Sequence, residues 1–482
     1  MEDQLTVLEA LVEFDRTGPG LASRLTVALR EAIVVGRLRP GSRLPSSRDL
    51  AADLRVSRGV VVEAYEQLVA EGWLLSRRGA GTVVAPVRPG PVPLRAGSTG
   101  VRDGAAAERS GPAAGITAPA APVNRIRPLR PGVPDLGLFP RQAWRRAYER
   151  ALDRAVAADL DYGDPAGAPR LRAELAAYLG RVRAARVDPD DLLVTTGAGQ
   201  AFGLVAGALR AAGVDTVGME DPGSAAIRDH LVAHGLRTVP VPVDAGGLDV
   251  AALARAGVRA VMVTPAHQFP TGVVLGPERR AALLDWARQV DGLIVEDDYD
   301  AEFRYDRDPV GCLQGLAPDR VAHIGSASKA LAPALRLGWL AVPPAWRAAV
   351  RARKHAADVC GPVLEQLAFA EFLAGGGYDR HLRRLRRIHR IRRDAVVAAV
   401  RRHLPAARIS GVAAGLHLVV ELPAGIDDVA LARAARRSGL GPLALSRLRL
   451  RSGGPPGLVL GYATHPPDVL AEAVARLAAL IV

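Results

Sequence analysis

The chain has 482 residues, of which 49% are hydrophobic and 23% charged, and its formal net charge is +13. That length argues for about two to four domains, and the apolar content allows a large soluble core. The positive balance suits an anionic partner, of which nucleic acid is the usual one. Cys312 and Cys360 are the only cysteines. They lie far apart without metal-ligand spacing, so no metal site is expected and a reducing, cytoplasmic setting fits. The acidic start MEDQLTVLEALVEFDRTGPG lacks the basic-then-apolar order of a signal peptide. The most apolar window, 192–214, contains Thr195, Thr196, Gln200 and a glycine turn, so it reads as a strand and a helix, and no membrane span is expected.

In chain order, residues 21–35 carry apolar side chains at spacings of three and four, the pattern of a helix ended by Gly36 and Pro40-Gly41. Ser46 and Asp49 form a capping box that opens a second helix through Leu54. A third helix from Ser57 to about Glu71 buries Val61, Ala64, Tyr65 and Leu68, and WLLSRRGAGTVVA predicts two short strands around a glycine turn. Three helices and a hairpin make a winged helix-turn-helix over residues 16–85. A recognition helix needs small polar or basic residues in a free first turn, supplied here by Ser57, Arg58 and Gly59. Arg43, Ser46 and Arg48 stand where the preceding helix would meet phosphates. Arg77, Arg78, Gly79 and Gly81 form a wing able to approach the DNA backbone or minor groove. The competing reading makes these arginines a solvated surface on a protein-interaction module.

Residues 86–130 are dominated by Pro, Gly, Ala and Ser and read as a flexible linker. From 131 to 482, apolar runs such as DLLVTTG, AVMVTP and GLIVEDD alternate with helical stretches, the pattern of an open, largely parallel α/β sheet. From about Trp346, arginine-rich helices and the short runs LHLVVEL and LVLGY suit a smaller α+β subdomain.

Three islands in this region point to pyridoxal 5'-phosphate (PLP). In GSASKALAPALRLGW, Lys329 is one of only two lysines in the chain, the other being Lys354. A lysine amine forms a Schiff base with an aldehyde and arginine cannot. Ser326, Ser328 and Arg336 around it suit a phosphate dianion. In LIVEDDYDAEFRY, Asp297 is the candidate partner of a pyridine nitrogen, and Tyr299 could hydrogen-bond the ring oxygen. In VTTGAGQAFGL, the backbone N–H groups of Ala198 and Gly199 open a helix and can cradle the phosphate. Taken alone, Ser326 and Lys329 also match the SxxK of serine-lysine hydrolases.

Residues 20–85 resemble the winged-helix domain of GntR-type regulators, and residues 131–482 resemble a fold-type I aminotransferase. Together the chain resembles the MocR/GabR subfamily, whose YGDPxGxxxLRxxLAxYL stretch is matched by DYGDPAGAPRLRAELAAYL. The resemblance implies a PLP-dependent regulator of operator DNA that senses PLP or its adduct with an amine or amino acid. It implies a head-to-tail homodimer in which each head lies near the partner's body and Tyr162 reaches the phosphate across the interface. VTPAHQFPTG matches the aminotransferase NPTG turn, so His267 and Gln268 are expected near the ring. Two positions depart from the pattern. Ser224 replaces the aromatic after DPG, and Val459 stands where many aminotransferases grip the substrate carboxylate with arginine, a role left open for Arg447, Arg449 or Arg451. The arginines of HLRRLRRIHRIRRD are expected to be solvated or interfacial above a buried stripe of Leu382, Leu385 and Ile388. The leading alternative is an active aminotransferase with a secondary DNA-binding head, and a third reading makes the PLP site purely structural.

Overall fold

A computed structural model describes residues 20–77, 81–85, 127–306, 310–451 and 453–481. The head contains helices α1 (Leu21–Val34), α2 (Ser47–Asp53) and α3 (Arg58–Glu71), then strands β1 (Leu74–Arg77) and β2 (Gly81–Val84), paired antiparallel. The expected cap at Ser46 forms, and Ser57 caps α3 as well. The Asp49 amide donates to Ser46 Oγ at 3.2 Å, and the Val60 amide donates to Ser57 Oγ at 3.4 Å. Gly72 ends α3 in the left-handed region, at φ 86°. Leu25, Leu29, Leu50, Val61, Leu68 and Trp73 fill the core of this small unit. The Tyr65 hydroxyl donates to the carbonyl of Pro45 at 3.0 Å and pins the turn before α2. The expected wing residues Arg78 and Gly79 lie outside the described residues, as does the Arg77 side chain.

Most of the expected linker, 86–126, also lies outside the described residues. Its last residues belong to the body. Leu129 is fully buried, and its carbonyl accepts from the Gly461 amide at 3.0 Å.

The body is built on an eight-stranded sheet. Its strands are β3 (Leu192–Thr195), β4 (Thr216–Asp221), β5 (Arg237–Asp244), β6 (Gly247–Leu248), β7 (Ala260–Val263), β8 (Leu293–Asp298), β9 (Val321–Ser326) and β10 (Gly338–Ala341), in the order β3-β10-β9-β8-β7-β4-β5-β6. From β9 through β5 the neighbours run parallel, which accounts for their unbroken apolar sequences. β10 is antiparallel to both β3 and β9, and β6 folds back on β5, so the sheet is mixed at its edges. A second sheet, in the order β11-β12-β14-β13, comprises β11 (Arg408–Ser410), β12 (His417–Glu421), β13 (Leu443–Ala444) and β14 (Gly457–Gly461). The helix Gly377–His403 buries Leu382, Leu385 and His389, with Ile388 half-buried, and leaves Arg383, Arg384, Arg387 and Arg390 exposed.

Within this chain the head packs on its own body. Glu71, at the end of α3, is buried, takes a bidentate pair from Arg30, and accepts from Gln67 Nε2 at 2.8 Å. A Cβ placed on Gly311 would lie 3.3 Å from the Glu71 side chain, and one on Gly72 would lie 3.6 Å from Leu316. The segment that receives the head is held by the back of β8. Glu296 accepts from the amides of Leu313 and Gln314 at 2.9 and 3.2 Å, while Asp298 pairs with Arg183, which donates to the Val310 carbonyl.

Candidate cofactor site and DNA-reading face

Strand alternation separates the three carboxylates that end β8. Glu296 and Asp298 serve the back of the sheet, and Asp297 enters a cavity of about 440 Å³ at the carboxyl ends of the strands. Lys329, just beyond β9, lines the same cavity, and its Nζ donates to the Gly132 carbonyl at 2.5 Å. Burial lowers the Lys329 pKa, opposed by Asp300 and Asp297. Burial likewise pushes Asp297 up to about 8, helped by Asp298 and Asp300 and opposed by Lys329. Both shifts share one origin: ionisable groups removed from water at a site that lacks full counter-charge.

One end of the cavity is built for an anion. The helix Ala198–Ala211 starts there, with Ala198 and Gly199 in the lining. Arg336 lies over its N-terminus, since a Cβ on Gly197 would come within 2.9 Å of the guanidinium. That guanidinium donates to the carbonyls of Thr196 and Pro333. Ser326 Oγ donates to Ser328 Oγ at 2.8 Å and accepts from the Ser328 amide at 3.1 Å. Helix N–H groups, two hydroxyls and a guanidinium therefore converge on one small volume.

Tyr299 lines the cavity and donates through its hydroxyl to the His267 carbonyl at 3.0 Å. His267 and Gln268, expected beside the ring, stand one layer behind the lining. His267 Nδ1 lies 3.0 Å from Asp300 Oδ2, and Gln268 Nε2 donates to the Pro222 carbonyl at 2.9 Å and to Glu220 Oε2 at 3.2 Å. Their turn instead presents Phe269 to the cavity. The sequence reading also missed Glu220, Thr264, Asp300 and His417, all of which line it. Glu220 was legible as a carboxylate one residue before the end of β4, the position Asp297 holds on β8. Ser224 caps the helix Ala225–Ala233 and lines the cavity without a ring to stack there. Val459 is fully buried in β14 beside Val419, Leu445 and Leu448, and none of Arg447, Arg449 and Arg451 lines the cavity.

Tyr162 is elsewhere. It is 84% exposed on a separate groove with Arg154, Arg170 and Cys360.

On the head, Arg43, Ser46, Arg48, Ser57, Arg58, Gly59 and Gly81 are all exposed. Arg58 Nε donates to Ser47 Oγ at 3.4 Å, joining the first turns of α3 and α2. Arg43 bridges to Val83, and a Cβ on Gly81 would meet its guanidinium at 2.9 Å, joining the loop before α2 to the wing. Residues from three segments thus form a single basic face.

Residues 133–477 match the aminotransferase class I and II family, and residues 21–84 match the gntR family of bacterial regulatory proteins. The chain is therefore a winged-helix head fused to an aminotransferase-type body. Over 451 residues it is 35% identical to a probable rhizopine catabolism regulatory protein, MocR, of Rhizobium meliloti, covering 93% of this chain and 91% of that one. It is 34% identical to the pyridoxine biosynthesis transcriptional regulator PdxR of Corynebacterium glutamicum, covering 95% of each. Among solved structures, the body is similar to kynurenine aminotransferase of Pyrococcus horikoshii, with TM-score 0.68, 26% identity, and 74% of this chain and 90% of that one covered. It is also similar to the α-aminoadipate aminotransferase LysN of Thermus thermophilus, with TM-score 0.66, 28% identity, and coverage of 74% and 92%. The chain belongs to the MocR/GabR subfamily of GntR transcription regulators.

Proposed function

We propose that this regulator binds PLP in the Lys329 cavity and transmits the presence of PLP, or of its adduct with an amine, to operator DNA bound by the head. The observation that carries the reading is that Lys329 and Asp297 share one cavity with an anion cradle. The side chains fit the cofactor. Asp297 would hold a cationic ring nitrogen, which would supply the counter-charge this buried carboxyl lacks, and the cradle of Ala198, Gly199, Ser326, Ser328 and Arg336 would suit the phosphate. Bound there, the cofactor supplies an aldehyde that captures amines and a ring that withdraws electrons. Lys329 would hold the cofactor's aldehyde end, its lowered pKa favouring the neutral, nucleophilic amine. Tyr299 would help to orient the ring from the cavity wall.

On the head, Ser57, Arg58 and Gly59 read base edges while Arg43, Ser46, Arg48 and the wing hold the backbone. The exposure of Tyr162 beside exposed Val156 and Leu160 supports a homodimer in which that tyrosine completes the partner's phosphate site; the head, expected near the partner's body, rests in this chain on its own body at Gly311 and Leu316. Two heads then read two half-sites in a cytoplasmic protein. The buried valine at 459 favours sensing over transamination of ordinary amino acids, because nothing there grips a carboxylate.

Borohydride reduction of the yellow PLP-loaded protein, followed by peptide mapping, should place the pyridoxyl group on Lys329. A label on Lys354, which is buried against Asp358, or no label in saturated protein, would refute the assignment. Footprints on operator DNA with and without PLP should cover the same half-sites at different affinity. Catalytic turnover of an amino acid would favour the enzyme reading.

A further inference from the structure

Besides Asp297, already given to the cofactor, the cavity holds two more buried carboxylates: Asp300, which lies 3.0 Å from His267 Nδ1, and Glu220. Glu220, one residue before the end of β4, is 7% exposed and lines the cavity. Its hydrogen bonds converge on one oxygen. Oε2 accepts from the Thr264 amide at 3.1 Å, the Thr264 hydroxyl at 2.5 Å and Gln268 Nε2 at 3.2 Å. Those bonds fix the carboxylate plane and leave Oε1 to accept from whatever enters. Desolvation pushes the carboxyl up to about 7 against the pull of these donors, so it lacks a counter-charge.

The remaining lining decides what that oxygen can meet. Its cationic side chains, among the described residues, are Lys329 and Arg336, and the proposed cofactor engages both. His417 is held neutral by burial and by the nearby His267, with its pKa lowered to about 4. Phe202, Met219, Ile227, Met262, Phe269 and Leu416 supply apolar walls. A ligand carboxylate brought into this space while the cofactor engages Lys329 and Arg336 would face Glu220 and Asp300 with no further cationic side chain among the described residues of this chain to pair with, at the cost of desolvating an unpaired charge. An ammonium or hydroxyl would find an oriented acceptor.

We infer that Glu220 is the specificity-determining residue of the effector cavity. It selects small amines that carry a second hydrogen-bond donor, ammonium or hydroxyl, and no carboxylate. One end of such a ligand faces the cofactor and the other donates to Glu220 Oε1. The inference rests on the PLP reading above and names the ligand class which that reading leaves open.

The test uses the full chain saturated with PLP, with cofactor content read from its absorbance before each titration. Putrescine, ethanolamine and L-alanine are then titrated calorimetrically at pH 8. Putrescine and ethanolamine should bind at least about tenfold more tightly than L-alanine, the scale of one charge-assisted hydrogen bond. Glu220→Gln keeps the shape and removes the charge. It should reduce the preference for putrescine over L-alanine by about the same factor. Equal or tighter binding of L-alanine by the wild-type chain overturns the proposal. So does an unchanged preference in Glu220→Gln, or a PLP-loaded protein that binds neither amine. Failure to take up PLP at all appears in the absorbance and overturns the cofactor reading instead.

Discussion

Replacing Asp298 with Asn removes the counter-charge of a guanidinium that has no access to water. The Arg183 side chain is 1% exposed and that of Asp298 6%, and two bonds join them, at 2.7 and 3.1 Å. Burial, the largest influence, lowers the pKa of Arg183, but Asp298 together with Cys312 and Glu296 outweighs it, so the guanidinium stays charged. In the variant it therefore remains buried and ionised with only carbonyl partners and more distant carboxylates. Breaking a buried pair in this way costs about 3–5 kcal/mol, whereas replacing both members with apolar groups of similar volume is close to neutral. Because Arg183 also donates to the Val310 carbonyl, the damage should extend to the segment that receives Glu71 of the head. Urea unfolding followed by circular dichroism should show a large loss for Asp298→Asn and a substantial recovery in the Arg183→Met, Asp298→Leu double variant. A loss below about 1 kcal/mol in the single variant would mean that the pair is solvated or dispensable, refuting this account of β8.

Asp297 should make the cofactor-free protein sensitive to pH. Its carboxyl stands at about 8 against an ordinary 3.8, so over that interval the folded state holds a proton that the unfolded state releases. Stability from this group is complete below about pH 4 and is lost as pH rises to about 8. Asp297→Asn should accordingly raise the denaturation midpoint more at about pH 8 than at about pH 5 while weakening PLP retention; equal gains at both pH values would contradict this. Arg58→Ala should relax base preference at a cost of about 1–3 kcal/mol if the side chain makes a bidentate base contact, and unchanged specificity against random DNA would displace the recognition helix. Arg48→Ala should weaken all sequences alike and make the salt dependence shallower. Tyr65→Phe deletes the hydrogen bond to Pro45 and should cost about 0.5–1.5 kcal/mol of stability, visible in denaturation and not in base preference.

Local chemistry by itself determined much of this protein. Ser46 and Ser57 cap helices because short side-chain oxygens reach the free N–H groups two or three residues on, and Gly72 ends α3 because the left-handed turn there carries no Cβ penalty. The parallel strands were legible because burial on both faces demands unbroken apolar runs. Lys329 stood out because arginine has replaced lysine almost everywhere else. What only the tertiary structure decided was which side chains share a volume. The motif places the turn around His267 and Gln268 beside the ring, yet both side chains stand behind the cavity wall, bonded to Asp300 and Glu220 in it, and Phe269 faces the cavity. Glu220 is 109 residues from Lys329 in the chain (329 less 220) and joins it only through the parallel order of β4, β7, β8 and β9. The docking of Glu71 against Gly311 was likewise invisible, since a charged residue at a helix end reads as solvated until Arg30 and the segment at Gly311 are seen closing over it. Periodicity and caps are properties of neighbours along the chain. A shared cavity depends on strand order and register, which are set by the packing of segments distant in sequence.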